Sequence, residues 1–85
     1  MKLIFEKAAQ KGLDKMSDKA AKAMRARLDA IALDPHKPHA NIKPLSGHRN
    51  RFRLRQGDWR AVYELEWTAN EMRVILVEVS GSVYR

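Results

Sequence analysis

Five arginines fall within the twelve residues from 49 to 60: Arg49, Arg51, Arg53, Arg55 and Arg60. Their type suits phosphate. A guanidinium is flat, permanently charged and forked, so it grips a phosphate through paired donors where lysine offers only a point charge. Around a phosphate under attack, such groups are fixed donors to the developing charge, and losing one donor of this kind costs ~2.7–4 kcal/mol of barrier in other enzymes. They cannot act as bases, because their pKa lies above ~12. Cleaving a phosphodiester would also need a base for the attacking hydroxyl and an acid for the leaving oxygen. Tyr84, Tyr63 and His48 are the candidates for those proton transfers.

Other chemistries find little support. With no cysteine there is no thiolate nucleophile, disulfide framework or Cys-based zinc site. His36 and His39 are spaced three apart between prolines with no helix to align them, so no metal site is expected and no cofactor is implied. Net charge is +7, and it is unevenly placed. Residues 1–32 hold eight basic and four acidic side chains, residues 33–60 seven and two, and residues 61–85 two and four. The lysines of the first third read as a solvated helical face. The arginines of the middle third point to a polyanionic partner. No apolar run reaches the length of a membrane span, and Met1 to Phe5 leaves no room for a signal-peptide core, so a cytoplasmic address without membrane attachment is the expectation.

The chain of 85 residues is expected to form one domain, residues 1–85, with a single core. Lys2 to Phe5 reads as a short strand. Phe5, Ala9, Leu13 and Met16 then recur on one face of a first helix that Gly12 weakens. Ser17 is placed to cap a second helix, whose apolar stripe is Ala20, Met24, Leu28 and Ile31 and which Asp34-Pro35 ends. Pro35 to Gly47 reads as a loop crossing the domain. Beyond Arg49 the period becomes two: Phe52 and Leu54 alternate with Arg51, Arg53 and Arg55, and Trp59, Ala61, Tyr63, Leu65 and Trp67 alternate with Arg60, Val62, Glu64 and Glu66. Met72 to Val79 reads as a buried central strand.

Gly57-Asp58 as a two-residue turn sets the hairpin register. Leu54 then faces Ala61, Phe52 faces Tyr63, Arg51 faces Glu64 and Arg49 faces Glu66. The same register sets Arg55 opposite Arg60, a like-charge pair that costs stability unless an anion lies between them. Places where local rules are broken are where binding or catalysis is expected. Tyr63 shares the apolar face with Trp59, which favours core packing over catalysis for its phenol.

The segment Lys43-Pro44-Leu45-Ser46-Gly47, then Arg51-Phe52-Arg53-Leu54-Arg55-Gln56-Gly57-Asp58-Trp59-Arg60-Ala61-Val62-Tyr63-Glu64 and the terminal Val83-Tyr84-Arg85, resembles the RelE/ParE family of type II toxin–antitoxin toxins. The resemblance implies an α+β fold: a small antiparallel twisted sheet of about four strands with two N-terminal helices on one face, in the order β-α-α-β-β-β. It implies one of two activities, messenger RNA cleavage on the ribosome as in RelE-like members or non-catalytic poisoning of DNA gyrase as in ParE-like ones. A simple basic RNA-binding module is a third reading. On the nuclease reading, Arg51, Arg53, Arg60 and Tyr84 take the catalytic positions, with Arg53 and Arg60 as the main donors. Lys43, His48, Arg49 and Arg55 line the RNA path. The pattern departs at Ser80-Gly81-Ser82, where nuclease members carry a basic residue; either Arg85 supplies that charge from the other side, or cleavage is poor. The implied partners are a cognate antitoxin, messenger RNA and the ribosome.

Overall fold

In the computed structural model, which describes residues 1–79, the chain runs through β1 (Lys2–Phe5), α1 (Lys7–Asp14), α2 (Asp18–Leu33), β2 (Ile42–Pro44), β3 (Arg51–Gln56), β4 (Trp59–Glu66) and β5 (Glu71–Val79). The strands form one sheet in the order β1-β5-β4-β3-β2. The order of elements agrees with the sequence reading. The sheet does not: it has five strands rather than four, and it is mixed rather than antiparallel, because β1 runs parallel to β5. The added strand, β2, is three residues long and ends in a proline that lacks a ladder donor, so it survives only at an edge and reads as loop.

Both helices lie on one face. Ser17 accepts a hydrogen bond from the Ala20 amide at 3.2 Å and starts α2. The α2 stripe then buries Met24, Leu28 and Ile31 against Leu54, Met72 and Val74 of the sheet. Shorter α1 packs on β5. Gly12, which looks like a weak point in sequence, is what lets it approach: a Cβ there would collide with the Val77 carbonyl oxygen, a backbone atom with no freedom to move aside. No helix among the described residues is long and apolar enough to cross a membrane.

Candidate functional site

The hairpin register follows from its turn. Gln56 and Trp59 are the last ladder partners, and Gly57 takes the positive φ of 62° that the first turn position requires. Leu54 faces Ala61, Phe52 faces Tyr63 and Arg51 faces Glu64, as the alternation predicts. Arg49 does not face Glu66. The ladder closes at Asn50, whose carbonyl accepts from the Leu65 amide at 2.8 Å; Arg49 and His48 stand exposed on the preceding loop, and Glu66 faces Glu71 instead. Trp67 also leaves the expected apolar face. It is 43% exposed and stacks on His36, with ring centroids 4.6 Å apart.

Because side chains alternate across a strand, burying Leu54, Ala61 and Val77 under the helices turns their neighbours to the other side of the sheet. That open face carries three lateral rows, each built of ladder partners. Arg55, Arg60 and Glu78 form the first. Lys43, Arg53, Val62 and Leu76 form the second. Arg51, Glu64, Arg73 and Ile4 form the third. A bulge makes the first row: Val62 pairs with Leu76 and Tyr63 with Val74, leaving Ile75 as an extra residue. A regular ladder continued from the Glu66–Glu71 pair would set Val77 opposite Arg60. The bulge sets Glu78 there.

Charge on this face is therefore graded. Arg51 pairs with Glu64 at 3.1 Å, and Arg73 bridges Glu71 at 3.2 Å and Glu6 at 3.7 Å. Arg60 Nε donates to Glu78 Oε2 at 2.7 Å, and a second guanidinium nitrogen meets the same oxygen. Glu78 thus offsets the Arg55–Arg60 repulsion from the far side of Arg60, not from between the two arginines. Arg53 and Arg55 form no ion pair with a described carboxylate, and Lys43 is the direct ladder partner of Arg53. Lys43, Arg53 and Arg55 make a cationic strip at the β2–β3 side, beside the half-buried aliphatic surface of Val62 and Leu76.

The sheet brings together Lys43, Arg51, Arg53, Arg55 and Arg60 from the expected set. Arg49 and His48 lie beyond the end of β3 nearest Arg51. Tyr84, Arg85 and the Ser80–Ser82 segment lie outside the described residues. Tyr63 is 2% exposed, and burial pushes its phenol up to about 12 although the Arg27 guanidinium pulls the other way. At neutral pH it is a protonated core residue, not a base. His36 is committed to Trp67, while His39 Nε2 lies 2.8 Å from the Asp34 carbonyl oxygen, so the two imidazoles do not converge.

Arg27 was not singled out by sequence. From α2 it donates to Gln56 Oε1 at 3.1 Å and to the Ala40 carbonyl, tying the hairpin end and the crossing loop to the helix layer. The available signal was its position three residues after Met24 and four before Ile31, at the margin of the apolar stripe.

A family model described as the ParE toxin of the type II toxin–antitoxin system parDE matches residues 3–81. No curated protein sequence matches the chain. Among solved structures, the isolated E. coli RelE toxin superposes with a TM-score of 0.80 at 22% identity, over 98% of this chain and 89% of that one. RelE in the archaeal RelE–RelB complex from Pyrococcus horikoshii gives 0.81 at 18%, over 95% and 96%. A YoeB/ParE toxin from Agrobacterium tumefaciens gives 0.78 at 15%, over 95% and 100%. At these identities the likeness is one of fold.

Proposed function

The chain belongs to the RelE/ParE family of type II toxin–antitoxin toxins, and from that membership and its cationic strip we propose that it is a metal-independent endoribonuclease that cuts messenger RNA on the ribosome and so inhibits translation. The observation that carries the reading is the pair of like-charge facings, Lys43–Arg53 and Arg55–Arg60, side by side on the helix-free face. Lys43–Arg53 has no counter-charge among the described residues and Arg55–Arg60 has only Glu78, on Arg60; a phosphodiester laid across both facings would turn them into binding groups.

On this reading the 2′-oxygen attacks the adjacent phosphorus as a base takes its proton. A 2′,3′-cyclic phosphate forms, and the 5′-oxygen leaves with a proton from an acid. Lys43, Arg53 and Arg55 hold the phosphate, and Arg53 with Arg60 stabilises the extra charge of the phosphorane. Arg51, tied to Glu64, positions the strand, while His48 and Arg49 extend the path along the loop. Tyr84 is the proposed base and Arg85 a supporting cation, both assigned from sequence alone. Val62 and Leu76 offer a base an aliphatic surface to lie on.

RelE is bound by RelB in the P. horikoshii complex. A cognate antitoxin is the corresponding partner here, with an acidic segment laid across the strip. A second reading, a ParE-like inhibitor of DNA gyrase, gains from the neutralisation of Arg51 and Arg60 by Glu64 and Glu78, which leaves fewer free cations for RNA. Incubation with translating ribosomes, mapping transcript ends, and a parallel supercoiling assay separate the two. Codon-spaced cuts are expected; intact transcripts with lost supercoiling would turn the assignment to gyrase.

A further inference from the structure

Arg60 is caught between two partners of opposite sign. On one side its ladder partner is Arg55; on the other it is Glu78, whose Oε2 takes the Nε donor at 2.7 Å and a second guanidinium nitrogen as well. Glu78 therefore uses on Arg60 the donor fork that a phosphate oxygen would use. The pair is not sealed: the side chains are 27% and 38% exposed, so a solute anion can reach them. Glu78 owes this position to the bulge at Ile75, since a regular ladder would place it opposite Trp59, on the helix-covered side.

We propose that Glu78 is an internal mask: in the free protein it occupies the donors of Arg60 that an RNA phosphate uses, and RNA must displace it to engage the whole cationic row. The inference rests on the RNA reading and deepens it. Glu78 keeps Arg60 oriented and offsets its repulsion from Arg55, at the expense of affinity. It also restricts tight binding to ligands with several phosphates, which first anchor on Lys43, Arg53 and Arg55 and then compete for Arg60. A mononucleotide gains little from the masked arginine.

The test is binding of a 2′-O-methyl oligoribonucleotide, which cannot be cut, to the wild type, Glu78→Gln and Glu71→Gln. The last removes the same charge at the far end of β5, where its partner is Arg73. Glu78→Gln is expected to bind roughly two- to fivefold more tightly than Glu71→Gln at ~0.1 M salt, the range of one exposed ion pair. In an Arg60→Gln background the Glu78 effect should vanish. A merely structural Glu78 would lower the melting temperature without tightening binding, and that result overturns the mask. Equal affinities for the two glutamine variants also overturn it while the RNA reading stands; if neither the wild type nor Glu78→Gln binds the oligonucleotide, both fall.

Discussion

The row Ile42, Leu54, Ala61, Val77 and the row Arg55, Arg60, Glu78 lie one residue apart along the same strands. On the helix side, Leu54 and Ala61 are wholly buried, and what matters there is volume, down to the absent Cβ of Gly12. On the open side the side chains keep access to water, and what matters is the sign of the neighbour. A single sheet thus separates the requirements of folding from those of binding, and a substitution should disturb mainly the side it occupies.

The sharpest way to break this contrast is Gly12→Ala. The added carbon meets backbone, so α1 must lift from β5, and a loss of about 3 kcal/mol or more is expected from overpacking with no route to relax. Urea unfolding measures it; a loss under ~1 kcal/mol would mean that the helix layer is not pinned at this point.

Tyr63→Phe sharpens it through pH. Its phenol is raised to about 12. The unfolded chain gives up that proton near its ordinary value of about 10, so the contribution is complete below about pH 10 and drains away as pH climbs through about 12, by on the order of 2–3 kcal/mol. The variant should lose stability more gently than the wild type over that alkaline window and match it near neutrality. Parallel curves would show that the phenol is not held protonated.

Arg27→Met should cost about 1 kcal/mol, by orphaning Gln56 Oε1 and the Ala40 carbonyl. Amide exchange should quicken around residues 40 and 56 and not in α1. Smallest in stability is the double reversal Arg53→Glu with Arg60→Glu, expected to shift folding by under ~1 kcal/mol because the repulsion it creates with Glu78 is offset by the Lys43–Arg53 and Arg55–Arg60 repulsions it relieves. Toxicity on induction should nevertheless disappear. Cells that still arrest would show that the active surface lies elsewhere.

The hairpin was legible because its instructions are local. A Gly57-Asp58 turn, strict alternation and complementary Arg51 and Glu64 sit within a few residues of one another. The Ser17 cap and the α2 stripe were legible for the same reason. The parallel β1–β5 pairing joins segments about seventy residues apart and has no local signature. Gly12 could not be read correctly until Val77 was known to lie beneath it. Nor could the partner of Arg60, because Val74, Ile75, Leu76 and Val77 are four apolar residues in succession, and such a run conceals which one breaks the alternation. Of the candidate site, residue types and strand facing were readable; which arginines were already neutralised was not.

The irregularity at Ile75 also guards against slippage. Were β5 to slide by one residue and iron the irregularity out, Glu78 would swing to the helix side near Trp59 and the Gly12 crossing, where Lys11 and Lys15 also line the surface, while Val77 would turn to water. Such a slip would expose the buried Val77 and give up the Arg60–Glu78 pair. The acidic side chain that tempers the arginine row thus doubles as a ratchet tooth, allowing the last strand to seat in one position only.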